Sequence, residues 1–427
     1  MLMKIIPSLW ISSPYDKCRF NLPPTESKNS HTILWSAVPA QNIALCPGDR
    51  LLWRRQLDGS IERKKSPTSS RVSKQLNFHW KDSVNPTISL PPSDPEAQIV
   101  INLMDGFRAS KAVFTAVSLG VFDRLHESPA SCETLSLDLN CQPHALERIL
   151  GACAAFQLIR VEKGIYRNES PATRFLRVQS PESLTGYMLS SDRMLYPLWT
   201  HLESAVREGT NRWEQEFGKK EGIFDHFFST EADKKQFMAG MHGHGVLSSP
   251  AVVAAFDLGS FHHLVDLGGG TGHLVIEACR RFPQLTGAIF DLPSVIPISR
   301  DYVRQAGLES RIEFKNGDFF KDALPPADLY SLGRILHDWS DEKVSFLLRK
   351  IFEHLPEKGG VLICEKLLNE TRDGPANAYL QSLNMLVCTE GKERTASEYR
   401  NLTTEAGFRS FQYQHTGQPV DAILAVK

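Results

Sequence analysis

One stretch near the middle of the chain limits its fold more than any other. Leu264-Val265-Asp266-Leu267 is an apolar run that drops into Gly268-Gly269-Gly270-Thr271-Gly272, after which His273-Leu274-Val275-Ile276 resumes with helical character. Strand, tight loop and helix in that order make a βα unit, the building block of a doubly wound sheet. Glycines let the backbone turn sharply and approach a ligand closely, because no side chain stands between them. A dinucleotide loop takes Gly-x-Gly-x-x-Gly, but here that third position is His273, and Gly272 makes Gly-x-Gly-x-Gly instead.

The loop resembles motif I of S-adenosylmethionine-dependent methyltransferases, which holds a zwitterionic amino acid and a ribose and no pyrophosphate. That resemblance implies S-adenosyl-L-methionine as cofactor, with Asp266, Gly268, Gly270 and Gly272 among its contacts. A second strand, Thr286-Gly287-Ala288-Ile289-Phe290-Asp291, ends in a carboxylate about 20 residues past the loop, where doubly wound folds face ribose hydroxyls. The plainer role for Asp291 is to cap the turn before Pro293. Arg311-Ile312-Glu313-Phe314 then leads to Gly317-Asp318-Phe319-Phe320, again a strand ending in an acid, suited to lie beside an adenine ring.

The chain has 427 residues, enough for two domains and a tail. A net charge of -1 argues for neither nucleic acid nor an anionic membrane as partner. Its eight cysteines contain no Cys-x-x-Cys, which suits reduced thiols in a cytoplasmic protein. No apolar run approaches the roughly 18 residues of a membrane span.

Residues 1–93 are rich in Pro, Ser, Asn and Arg and lack sustained periodicity, as in a low-order leader. Two apolar stretches, 31–38 and 43–53, also fit strands of a truncated module, and Arg63-Lys64-Lys65 fits a solvated charge cluster or a targeting patch. From Pro95 the pattern turns helical, with Ile99, Ile101, Leu103, Met104, Phe107, Val113 and Leu119 apolar on more than one face. Such a helix needs burial, either in a bundle within the chain or against a second subunit. A capped start at Ser131, a turn at 140–143, a helix over 145–156 and a hairpin around Lys163-Gly164 complete a winged-helix outline over residues 94–183. Its second helix has only Arg148 as a central basic residue, poor equipment for DNA phosphates.

Residues 184–427 begin with helices rich in aromatics, among them Tyr187, Tyr196, Trp199, Trp213, Phe217, Phe224, Phe227, Phe228 and Phe237. Most suit a core, and a few suit a pocket for a flat substrate or a sulfonium. Strands are expected over 262–267, 286–291, 311–316, 327–336 and 360–366, with a final pair over 408–416 and 421–426. Alternation with helices predicts a mostly parallel seven-stranded sheet.

Strand Leu329-Tyr330-Ser331-Leu332-Gly333-Arg334-Ile335-Leu336 runs into His337-Asp338-Trp339-Ser340-Asp341-Glu342, which sets a histidine on the same sheet edge as the glycine loop. This segment resembles the active site of small-molecule O-methyltransferases. Ser382-Leu383-Asn384-Met385-Leu386-Val387 and Thr389-Glu390-Gly391-Lys392-Glu393-Arg394-Thr395 narrow the resemblance to the acetylserotonin O-methyltransferase family, over residues 97 to the end. Leu103-Met104-Asp105-Gly106-Phe107 and Arg207-Glu208-Gly209-Thr210-Asn211 resemble the acetylserotonin O-methyltransferase-like proteins in particular.

The resemblance implies a Rossmann-like methyltransferase domain behind a winged-helix domain that forms a homodimer. It implies a small hydroxylated aromatic or indole acceptor such as N-acetylserotonin, with His337 as general base and no metal. Phenolic and indolic hydroxyls titrate near pH 10, so a base must take the proton as the oxygen attacks. Glu365 and Glu390 match glutamates that flank the histidine, though Glu390 also suits a surface charge beside Lys392. Asp338, Asn384, Met385 and Cys388 match the acceptor pocket; Asp291, Gly317, Asp318, Phe319, Arg334 and Phe228 match cofactor contacts. Asp338, Asp341 and Glu342 together suggest a metal site less simply than a helix start. The chain departs from the family at Cys388, where a glutamine meets the acetamide, and at Phe228 and Gly245, where a hydroxyl and a ring are lost. A catalytically weak or inactive dimeric scaffold is the alternative these departures leave.

Overall fold

The structure is a computed structural model and describes residues 94–218 and 223–427. The leader expected over 1–93, with its apolar stretches and basic run, lies outside the described residues.

Helix Pro95–Ser118 starts where Asp94 accepts the Glu96 N–H at 2.9 Å and proline fills the first turn. Its C-terminal end buries Ala116 and Val117, while Ile99, Leu103, Met104 and Phe107 stay exposed, Leu103 by 77%. Helices Val121–Glu127, Cys132–Asp138 and Pro143–Ala155 follow. Strands β1 (Ala130–Ser131), β2 (Ile159–Glu162) and β3 (Ile165–Asn168) pair antiparallel in the order β1-β3-β2. Lys163 and Gly164 both take positive φ, 51° and 77°, the backbone a two-residue hairpin needs. The winged-helix outline is therefore present, and its second helix starts two residues before the expected Ala145 because Pro143 suits a first turn.

Seven strands among the described residues form the second sheet: β4 (His263–Leu267), β5 (Thr286–Asp291), β6 (Ile312–Asn316), β7 (Leu329–Gly333), β8 (Gly360–Glu365), β9 (Ser410–Gln414) and β10 (Asp421–Val426). Their order is β6-β5-β4-β7-β8-β10-β9, with β4 to β8 parallel and β10 antiparallel to both neighbours. Alternate residues point to opposite faces. Val265, Phe290, Tyr330 and Ile363 pack one way, among residues of helices Asp341–His354 and Ala396–Ala406, whereas Leu264, Ile289 and Leu362 pack the other way with helix His273–Arg281.

From β4 the chain winds outward through β5 to β6, then returns to place β7 on the other side of β4. The crevice outside the carboxyl ends of β4 and β7 is the topological switch point, where open α/β sheets bind ligands. Strand β7 stops at Gly333, short of the expected 336, because Arg334 adopts φ 58°. Glu365 Oε1 then takes the N–H groups of Ile335 and Leu336, at 2.9 and 2.8 Å, in place of a ladder. No helix among the described residues is long and apolar enough to cross a membrane. The six cysteines among them are unpaired.

Candidate active site

A cavity of about 260 Å³ opens at the switch point and is shared by the loop after β4 and the turn after β7. Gly268 and Gly270 line it with φ of 65° and 57°, and a Cβ on Gly268 would stand 2.6 Å from Ile335 Cδ1. Asp291 braces the loop: Oδ2 accepts the Gly270 N–H at 2.8 Å and Oδ1 the Leu292 N–H at 2.7 Å. Burial raises the Asp291 carboxyl to about 6, against these two donors. Gly317, Asp318, Phe319, Arg334 and Phe228 also line the cavity, so most of the expected cofactor residues come together.

Asp266 and Gly272 do not line it. Asp266 lies beneath the loop, 2% exposed, accepting the Ser331 hydroxyl at 2.6 Å, and burial raises its carboxyl to about 7. A Cβ on Gly269 would stand 2.8 Å from Asp266 Oδ2, so the carboxylate supports the loop from below. Gly272 caps helix His273–Arg281 in the left-handed region and packs on Ile289. Both serve the turn itself.

His337 sits in a short 3-10 turn over Leu336–Asp338, directly past β7, and is 4% exposed. Its Nδ1 lies 2.7 Å from Glu393 Oε1 and 3.3 Å from Glu365 Oε2, while Nε2 lies 3.7 Å from Asp338 Oδ1. Two ligands of one cation stand about 3.0 Å or more apart when each bond is about 2.1 Å, so the 2.7 Å contact is a hydrogen bond and the triad is no preformed cation cage. Burial raises Glu393 to about 8, Asp338 to about 7, and Glu365 above its ordinary value.

Opposite His337, Asn384 Oδ1 accepts the Trp199 indole N–H at 2.9 Å, which leaves its amide N–H groups for the cavity. Met385 and Cys388 line the same wall. The Cys388 thiol donates to its own helix at Asn384 O, and burial raises it well above its ordinary value. It therefore offers the cavity sulfur surface and no strong polar partner.

Known proteins resemble this chain in sequence and fold. The O-methyltransferase domain family matches residues 199–409, and the O-methyltransferase dimerisation domain family matches residues 101–178. Acetylserotonin O-methyltransferase of Gallus gallus is 41% identical, over 77% of this chain and 97% of that protein. The chain belongs to the acetylserotonin O-methyltransferase family. The crystal structure of human N-acetylserotonin methyltransferase in complex with SAM superposes with a TM-score of 0.75 at 38% identity, covering 79% of this chain and 99% of that one. A human probable bifunctional dTTP/UTP pyrophosphatase/methyltransferase protein is 38% identical, over 79% of this chain and 55% of that protein.

In this acetylserotonin O-methyltransferase family member, one expected site residue is replaced by a neighbour. Glu390 does not reach His337: it accepts the Ser340 N–H at 3.3 Å and pairs with Lys343 at 2.9 Å, at the exposed start of helix Asp341–His354. Glu393 takes the inner place. The cause is Gly391, whose missing side chain lets the loop lie flat on the turn; a Cβ there would stand 2.6 Å from Trp339 N. The chain passes inward after this contact, and Glu393 and Arg394 end 2% and 1% exposed. Arg394 then clamps the turn, donating to Leu336 O and Trp339 O at 2.9 Å each and to Asp341 Oδ1 at 2.7 Å. The sequence sets Glu390 beside the histidine, with a surface charge as its plainer role, and assigns Glu393 none; the glycine between them is the local sign of close approach. Trp199 had no signal either, since its partner Asn384 lies 185 residues away.

Proposed function

We propose that this O-methyltransferase transfers the methyl group of S-adenosyl-L-methionine to the hydroxyl of N-acetylserotonin or a closely related hydroxylated indole. The observation that carries the reading is His337, wedged between two buried glutamates at the end of β7 and facing the cavity that the glycine loop lines. Cofactor and family relatives agree with it, since the human structure is a complex with SAM.

The cavity's residues fit the cofactor. Gly268 and Gly270 give an approach free of side chains, each Asp291 oxygen keeps acceptor capacity beyond its one backbone donor, and Phe319 and Phe228 supply flat apolar walls. Bound there, S-adenosyl-L-methionine supplies an electrophilic methyl group whose bond to sulfur breaks as the bond to oxygen forms, with the electron pair left on sulfur.

Glutamate contacts at Nδ1 favour the tautomer with its proton on Nδ1, so Nε2 is left to receive the acceptor's hydroxyl proton. Asp338, raised to about 7, is protonated in part at neutral pH and can donate to the acceptor as well as accept. Asn384, held by Trp199, presents its N–H groups to a carbonyl or hydroxyl of the acceptor. Phe224, Phe237 and Trp339 form walls suited to an indole. Holding both reactants in line supplies several kcal/mol of the barrier reduction, on the order of what positioning gives elsewhere.

Residues 94–183 act in this reading as the dimerisation domain and 184–427 as the methyltransferase domain, and two chains associate through the exposed apolar face of helix Pro95–Ser118. Purified protein given methyl-labelled cofactor and N-acetylserotonin should release the labelled methyl ether. His337→Ala should lower the rate about 100- to 10,000-fold, the range for a lost general base. Equal rates in the two proteins would end the mechanism, and no product with any hydroxyindole would end the activity.

A further inference from the structure

Helix Glu231–Ala254 carries glycine at 240, 243 and 245, a costly residue inside a helix because it surrenders the most backbone freedom. Backbone packing explains two of them. A Cβ on Gly240 would stand 2.7 Å from Tyr187 N, and one on Gly243 would overlap Ser183 O. Gly245 differs, for its nearest neighbours are Cδ2, Cγ and Nδ1 of the His273 ring, and a Cβ there would overlap all three.

The missing side chain makes room for an imidazole. His273 is the first residue of its helix, directly after the glycine loop, and lines the cavity beside Gly268, Gly270 and Thr271. Ser249, one turn beyond Gly245, fixes the ring at Nδ1 with a 2.8 Å hydrogen bond. The other nitrogen, Nε2, has no hydrogen-bond partner among the described residues and is available to a ligand. Burial, aided by His242, Arg334 and His244, pushes this imidazole down to about 3, so it presents a neutral face and sets no charge against a sulfonium.

We propose that His273 is a cofactor-binding residue of this chain, held by the vacancy at Gly245 and the hydroxyl of Ser249 against the part of S-adenosyl-L-methionine that lies over the glycine loop. The inference rests on the cofactor reading above.

Calorimetry with S-adenosylhomocysteine tests it without turnover. His273→Ala should weaken binding about tenfold, the scale of one aromatic contact beside a ligand. Gly245→Ala should weaken it to a similar degree by pushing the ring aside, and the double variant should bind no more weakly than the worse single one. Ser249→Ala, which only frees Nδ1, should lose about two- to threefold. Thermal melts of the free variants identify any that fail to fold, and the folded ones decide the matter. Binding within twofold of the unmodified chain in folded His273→Ala or Gly245→Ala would overturn the assignment. Failure of the unmodified chain to bind S-adenosylhomocysteine would overturn the cofactor reading, and this inference with it.

Discussion

At the residue scale the site depends on carboxyl groups held away from water. Glu393 has an ordinary value near 4.5 and is raised to about 8 by burial, against the nearby cations Arg334, Arg394 and Lys366. Between those two pH values the folded chain keeps a proton that the unfolded chain has lost, so stability falls as pH rises through the window. Glu393→Gln removes that dependence while keeping an acceptor for His337 Nδ1. The variant should therefore gain at least about 2 °C in Tm relative to the unmodified chain on going from pH 5 to pH 8. Its kcat above about pH 8, where Glu393 is ionised, should fall about 10- to 1,000-fold, because an amide cannot compensate the imidazolium that forms. Glu390→Gln should stay within about threefold, since it loses only an exposed ion pair with Lys343. Steady-state kinetics on the pair decides which glutamate supports the histidine, and a reversed order would refute the geometry described here.

At the element scale, helix Glu231–Ala254 and helix Thr185–Ser190 are fused at their backbones through Gly240 and Gly186. This contact sets Tyr187 and Met238 in the cavity wall. Gly240→Ala would normally strengthen a helix, yet its Cβ would meet Tyr187 N at 2.7 Å and force the helices apart. A loss of about 1–3 kcal/mol in urea unfolding is expected; a gain would show that the helices can separate freely. The strands were legible in the sequence to within about three residues at each end, because apolar runs bounded by loops carry their own signal. The end of β7 was not, because the turn there is held by Glu365 at the end of β8 and by Gly391 and Arg394 in the loop after helix Ala376–Cys388, two other places in the chain.

At the scale of the whole molecule, the exposed apolar face of helix Pro95–Ser118 is the feature one chain leaves unfinished. Ile99, Leu103, Met104 and Phe107 are each more than half exposed, beside an interior that is otherwise well buried. The match to an O-methyltransferase dimerisation domain over residues 101–178 covers most of that face. Sedimentation of the full chain should show a dimer, and Leu103→Asp with Phe107→Asp should give monomers, since burying two carboxylates in an apolar contact costs several kcal/mol. A dimer that survives both changes would move the interface elsewhere. The sequence pointed to a helix that needed burial, and the described fold narrows the need to its N-terminal half, because Ala116 and Val117 are satisfied within the chain.

The sequence by itself determined the βα alternation, the glycine loop and the histidine at a strand end, since each is written in contiguous residues whose periodicity and spacing act locally. It also limited the cofactor, because Gly-x-Gly-x-Gly and Gly-x-Gly-x-x-Gly differ within six positions. Only the tertiary structure decided which carboxylates meet His337, why Asp266 and Gly272 serve the turn from outside the cavity, and what fills the space at Gly245. Those outcomes depend on contacts between segments tens of residues apart. A missing Cβ at Gly391 or Gly245 sets which side chain enters, and no local pattern carries that information.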